Sequence, residues 1–353
     1  MSFLVSPGVN VREIDLTNVV PAVATSIGAI AGAFEKGPVS SITTISSEEE
    51  LVQIFGRPQS TGNQFETFFT AANFLQYADN LKVVRAESAI KNATANGTGL
   101  LIRDDDHYQT NFEDGQGSVG EWAARTAGTH GNALGVSICS SATAYEQTAV
   151  TTTSGTEALG QTIISVTDAS TINVGDIVNF GETFEYETTA RNTTSNTITI
   201  KLKDDPNGAG LQSQITSGTN IRRRWRFYDL FDGAPGTSAY ATQNTRGNND
   251  EIHIVVYDRE GDLAGFSVDS NGNRTNAVLE TFGNLSVNPN AKSPQGDSIY
   301  YPNVIFKSSL FVYWMDHNTG GLNFGEDISG ATGSIILDGT DGSATDAGDN
   351  IVF

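Results

Sequence analysis

The chain is short of cysteine, of positive charge and of long apolar runs, and each shortage removes a class of function. Cys139 is the single cysteine in 353 residues. One thiol forms no intrachain disulfide and no cysteine-based metal cluster, and the usage is consistent with a reducing compartment. Cys139 ends an apolar stretch, where a buried, inert thiol is the default. Lysine and arginine total 20 against 41 acidic residues, a formal net charge of −21. A general nucleic-acid binder needs a basic face to displace counterions from phosphates. An anionic membrane surface asks for the same face. The sequence therefore points to no direct nucleic-acid contact and no membrane insertion. The stretch Val19 to Phe34 carries no charge, but Thr, Ser and Gly interrupt it and Glu13 and Asp15 precede it. It is too short to span a bilayer and lacks the basic flank of a signal peptide, and reads as a buried strand-pair region. The four histidines are scattered and belong to no His-Glu-x-x-His motif. No nucleophile elbow is present, so the expectation is a non-enzyme without catalytic residues, cofactor or metal.

What the chain has in quantity is glycine, 37 residues, with abundant Thr, Ser and Asn. That composition favours many short strands joined by turns. The expected class is α+β and multidomain: a mixed β-sheet main domain with a few helices, plus an inserted small all-β domain.

The opening, Met1 to Asp15, places an apolar run (Met1–Val5) before a Ser6-Pro7-Gly8 turn, then alternates Val9 and Val11 with polar residues. A period near two suits a strand. Such a terminal strand completes the chain's own sheet or adds to a neighbour's. Ile27 to Phe34 follows as a buried, closely packed strand, ended by Lys36-Gly37-Pro38. Ser46 with Glu49 and Ser47 with Glu50 are overlapping capping boxes, and Gly56 with Pro58 stops the helix they begin. A second helix is expected from Asn63 to Ala78, with Phe65, Phe68, Phe69, Ala72 and Leu75 on one face and its aromatics in the core. Leu81 to Ala86 reads as a strand.

Three of these segments together carry a family resemblance. Ser6-Pro7-Gly8-Val9 with Val11-Arg12-Glu13, Leu51-Val52-Gln53-Ile54-Phe55-Gly56-Arg57-Pro58, and Asn73-Phe74-Leu75-Gln76-Tyr77 followed by Leu81 to Ala86 resemble, in this order, the contractile tail sheath proteins of large myophages. The resemblance implies a structural subunit that polymerises around a tail tube and contracts to drive the tube through the host envelope for DNA delivery. It implies an arm that links one subunit to the next, here carried by Val5, Val9, Val11 and Ile14. Its partners would be other sheath subunits in a helical homo-oligomer, the tail tube, and baseplate and tail terminator proteins. The place would be the virion tail, with assembly in the host cytoplasm. It also implies an α/β domain and a C-terminal arm beyond this sequence, which then reads as an N-terminal portion.

On that pattern the chain divides into an arm (1–23), a first part of the main domain (24–141), an inserted β domain (142–226), a second part of the main domain (227–340) and a lead into a further domain (341–353). The region 87–120 is a polar connection, and Gly128 to Asn132 leads into the strand Ala133 to Cys139. In the insertion, strands are expected at Gln161–Val166, Asp176–Phe180, Thr183–Thr189 and Thr197–Leu202. Further on, Glu251–Asp258 and Leu263–Val268 form a hairpin, Asn276–Leu285 a short helix, and Ser298–Phe306 and Ser309–Trp314 strands.

Other motifs read as ordinary structure. Gly115 to Gly120 matches G-x-G-x-x-G but lacks a preceding strand. Asp104-Asp105-Asp106-His107 reads as a solvated loop, because calcium needs six to eight converging oxygens. Asp338, Asp341, Asp346 and Asp349 lack the spacing of a calcium loop. Arg222 to Arg226, the dense basic run, reads as alternating exposure on a solvated strand. The alternative function is a β-rich carbohydrate-binding or adhesive surface module, for which Phe180, Phe184, Tyr186 and Trp225 are the available aromatics.

Overall fold

Five elements build the first unit: β1 (Ile27–Gly32), β2 (Ile42–Ile45), α1 (Glu48–Phe55), α2 (Gln64–Leu75) and β3 (Asn80–Arg85). The computed structural model describes residues 26–60, 64–86, 90–95, 99–203, 205, 207–245, 248–258, 263 and 277–317. Val5, Val9, Val11 and Ile14, and the stretch 338–350, lie outside the described residues. β3 is the central strand, parallel to β1 and antiparallel to β2. Both helices cover one face, burying Phe34, Ile45, Leu51, Phe55, Phe68, Ala72, Leu81 and Val83 in one core. Ser47 caps α1 by accepting the Glu50 N–H at 3.2 Å. The Glu50 carboxylate reaches back to the N–H and hydroxyl of Ser46, at 2.8 and 2.7 Å. The two expected capping boxes thus merge into one arrangement centred on Glu50.

Two expectations need correction here. β1 is not buried: its exposure alternates, and Ile27 is 61% exposed. It is an edge strand with helices on one side only. In α2 the buried positions are Gln64, Phe68, Ala71 and Ala72, whereas Phe65 and Phe69 are 40% and 51% exposed. The apolar positions run round the helix, and only one side of it meets the sheet.

Next come α3 (Asp105–Asn111), β4 (Trp122–Ala124) and β5 (Leu134–Cys139). The Asp104 run is a helix start and not a loop. Asp104 accepts the His107 N–H at 2.8 Å, and Asp105 and Asp106 complement the positive end of the helix dipole. Cys139 is buried at the end of β5, and burial pushes its thiol up to about 12.

After α4 (Ala142–Tyr145) the chain makes β6 (Glu146–Thr152), β7 (Ile163–Ser165), β8 (Ile177–Asn179), β9 (Tyr186–Asn192), β10 (Thr197–Leu202) and β11 (Asn220–Arg224). Their order is β6-β11-β8-β9-β10-β7, antiparallel throughout. The two outer strands then meet. Thr153 bridges Val166, Ser154 N–H donates to the Ser165 carbonyl at 2.9 Å, and Thr167 N–H donates to that of Thr152 at 2.8 Å. The sheet thereby closes into a small barrel around Ile164, Ile172, Val178, Tyr186, Ile198, Leu211 and Ile221. β6, in the Thr-rich stretch, was not expected.

The basic run on β11 alternates in exposure as expected, but its charges are paired with carboxylates and do not simply face solvent. Arg223 is buried beside Asp176 at 3.6 Å, while Arg222 and Arg224 both hold Glu146. Antiparallel pairing puts Arg224 opposite Glu146, so the charges meet carboxylates within the barrel.

The remaining elements are α5 (Ala239–Asn244), β12 (Glu251–Asp258), β13 (Ala277–Ser286), α6 (Tyr301–Ser308) and β14 (Val312–Trp314). β12 lies between β5 and β13, and β14 pairs with β4. Val136, Ile138, Ile254, Val256, Leu285, Tyr301, Ile305, Val312 and Trp314 share the core of this body. Two assignments reverse. The expected helix Asn276–Leu285 falls on β13, the strand that pairs with β12; its β-branched and aromatic residues suit a half-buried sheet. The expected strand Ser298–Phe306 falls largely on α6. Pro302 sits in its first turn, where a missing N–H is no loss. Of the expected returning strand 263–268, only Leu263 is among the described residues.

Candidate assembly surface

The first unit is held together by close approach and by one buried cation. A Cβ on Gly28 would come 2.5 Å from Phe74 Cζ, and one on Gly32 would come 2.6 Å from Thr67 Cγ2. The small residues of β1 therefore let α2 lie directly on the strand. Arg85, 4% exposed, donates to the carbonyls of Phe34, Gly37, Ala127 and Glu35 at 3.1, 3.1, 2.7 and 3.0 Å. Ala127 belongs to the loop before β5, so the same guanidinium joins the unit to the body. Burial lowers its pKa to about 10, partly opposed by the nearby Glu35.

The Phe55-Gly56-Arg57-Pro58 stretch has a matching physical account. Gly56 takes a φ of 83°, and its N–H closes α1 on the Val52 carbonyl at 2.9 Å. The Glu35 carboxylate accepts the Arg57 N–H at 2.7 Å. A Cβ at Gly56 would lie 2.3 Å from that carboxylate, so glycine is required twice.

Both outer layers of this unit carry apolar surface. On the sheet, the face away from the helices presents Ile27, Ala29 and Ala31 of β1, Val84 of β3 and Ile42 of β2, placed together by strand register. Ile42 is 72% exposed. Lys82 and Thr44 continue this face on the neighbouring register position, bonded to each other. All-parallel sheets are covered on both faces, whereas antiparallel pairs can leave one face to solvent, and this sheet has one pair of each kind. Among the described residues this face is open. On the helix side, Phe65 and Phe69 stand four residues apart on the solvent side of α2, with Tyr77, 90% exposed, just beyond its end. Sequence reasoning places these rings in the core. The signal it passes over is the number of apolar positions in α2, more than a single buried stripe requires.

The other candidate sites are structural. Gly117–Val119 of the G-x-G-x-x-G stretch form a short 3-10 turn. No group of three or more His, Cys, Asp or Glu suited to a metal ion occurs among the described residues. No described helix is long and apolar enough to cross a membrane. Phe180, Tyr186 and Trp225 are buried, and only Phe184 of that set is exposed, at 43%. Three of the four rings needed for a sugar-binding platform are therefore unavailable.

Comparison with known proteins falls on this same unit. The family described as Tail sheath protein Gp18 domain III N-terminal region matches residues 25–86. The tail sheath protein of Vibrio phage KVP40 is 45% identical over 82 residues, 23% of this chain and 12% of that protein. The tail sheath protein of Enterobacteria phage T4 is 40% identical over 83 residues, 24% of this chain and 12% of that protein. The matches thus span about an eighth of each relative's length. In its N-terminal region the chain is similar to the tail sheath proteins of myophages.

Proposed function

We propose that this protein is a structural subunit of a contractile phage tail sheath. The observation that carries the proposal is the family match to residues 25–86, the unit that presents apolar surface on both its sheet and its helix side. A subunit that stacks in a helical array needs such faces and needs no active site. Copies of the chain polymerise around the tail tube and contract by moving between two packings of nearly rigid subunits. Baseplate and tail terminator proteins bound the array, which is built in the host cytoplasm and carried in the virion. The division into an arm (1–23), a main domain in two parts (24–141 and 227–340), an insertion (142–226) and a following lead (341–353) belongs to this reading. The pairing of β6 to β11 with one another supports the insertion.

Val5, Val9, Val11 and Ile14 form the linking arm in this proposal. Deleting residues 1–15 tests it. The expected result is unchanged thermal unfolding with loss of assembly into sedimenting polymers. Unfolding of the core by this deletion would make the segment an ordinary edge strand and contradict the linking role.

A further inference from the structure

We infer that the barrel formed by β6 to β11 is locked to the body as one rigid unit, with Arg223 as the side chain that joins its two chain crossings. The chain passes into the barrel through α4 and leaves it after β11. Two crossings alone would define a hinge. Here they are bound to each other and to the body. Arg223 Nη2 donates to the carbonyls of Thr143 and Ala144 at 2.8 and 3.1 Å. These are carbonyls of α4 that a helix of this length leaves without partners. The same guanidinium faces Asp176 in the turn before β8, and the two side chains are 3% and 2% exposed. One buried cation thus ties the incoming turn, the outgoing strand and a barrel turn.

The next residue but one fixes the body. Trp225, fully buried, donates its backbone N–H to the Tyr145 carbonyl at 2.8 Å and its indole N–H to the Ser137 hydroxyl of β5 at 2.9 Å. Its ring stacks on Phe231 with centroids 5.5 Å apart. Tyr145, on the incoming side, donates its hydroxyl to the Tyr228 carbonyl at 2.7 Å.

Contacts of the outgoing segment with other parts of the barrel and with the body oppose the remaining rotation. Lys203, at the end of β10, lies 3.4 Å from Asp229 and donates to the Tyr228 hydroxyl at 3.1 Å. That hydroxyl donates to Glu185, before β9, at 2.8 Å. At another side, the Arg226 side chain lies against Gly175 of the barrel and its guanidinium sits 5.1 Å from the Tyr257 ring of β12. These contacts, all made through the outgoing segment Trp225–Asp229, pin that segment to the barrel on one side and to the body on the other. The barrel is therefore displayed at a fixed angle and moves with the body. This inference is independent of the sheath reading.

Spin labels test it on the whole chain. One label goes on the barrel tip at Thr193→Cys and one on α5 at Gln243→Cys, both exposed sites, with the buried Cys139 left in place. A control pair, Thr193→Cys with Gln214→Cys, lies within the barrel. Pulsed dipolar spectroscopy is expected to give a cross-junction distance distribution as narrow as the control. Arg223→Met combined with Asp176→Asn removes both buried charges together. It is expected to widen the cross-junction distribution at least twofold and leave the control unchanged. Lys203→Ala with Tyr228→Phe loosens only the hold of Lys203 and Glu185 on the outgoing segment, and is expected to widen it less. A broad or two-peaked cross-junction distribution in the unmutated background overturns the inference. So does an unchanged width in both variants.

Discussion

The Phe74 ring occupies the space beside Gly28: a Cβ on that glycine would come 2.5 Å from Phe74 Cζ. The strand and helix of the first unit are set by this approach. Gly28→Val is expected to destabilise the protein by about 1–3 kcal/mol, the usual cost of overpacking a closed contact. Gly233 has nothing within 4 Å of the equivalent position. Gly233→Ala is expected to stay within about 0.5 kcal/mol of the parent. Urea midpoints of the two variants check the pair.

Much of this first unit was legible in the sequence, and the reasons are local. β3 alternates buried and half-buried residues in Asn80–Arg85, and Gly56 marks the end of α1 because only glycine fits there. β12 and β10 are β-branched runs, and their limits fall where the residues place them. Other elements were illegible for equally local reasons. β6 reads Glu146–Thr152 with no buried position, so its place depends on pairing with β11 and not on its own pattern. α6 and β13 exchange their expected states because short aromatic and β-branched stretches suit either, and the tertiary partner decides. The apolar side of α2 that faces solvent cannot be told from its core side by spacing alone. The arm residues lie outside the described region.

Arg85 yields a second prediction. Its guanidinium serves four carbonyls, three in the 34–37 segment and one at Ala127, a fork that a lysine ammonium cannot reproduce. Arg85→Met leaves those acceptors buried and unpaired, and about 3–5 kcal/mol of destabilisation is expected. Arg85→Lys is expected to recover only part of it. Chemical denaturation of both variants decides this.

Acid should loosen the body through His253. Its Nδ1 accepts the Asn284 N–H at 3.1 Å, so Nε2 carries the proton and donates to the Gly233 carbonyl at 2.9 Å. The ring is neutral in this arrangement, and burial lowers its pKa below 6.5. A histidine with a lowered folded pKa contributes fully above the unfolded value, and the contribution is lost as pH falls below about 6.5. His130 acts in the same direction, lowered to about 4 by burial with Arg85 and Lys36 nearby. The melting temperature should fall from about pH 7 to about pH 4. His253→Gln, which can accept and donate at the same two places, should flatten the upper part of that slope. A profile unchanged by this substitution would remove His253 from the account.

The exposed ridge on α2 separates folding from assembly. Phe69→Glu and Tyr77→Ser alter side chains that lie at the surface and are expected to change stability by no more than about 0.5 kcal/mol. In the sheath protein they are expected to reduce polymer formation strongly, because a charge or lost ring at an apolar contact opposes docking. Sedimentation of variant and parent at equal concentration checks it.

The most direct measurement is an electron cryo-microscopy reconstruction of virions that contain this protein. The account predicts a helical array around the tail tube, with Ile27, Ile42, Phe69 and Tyr77 covered by contacts and the barrel held at one angle to the body. Isolated copies elsewhere on the particle, or an array in which these four side chains face solvent, would contradict it.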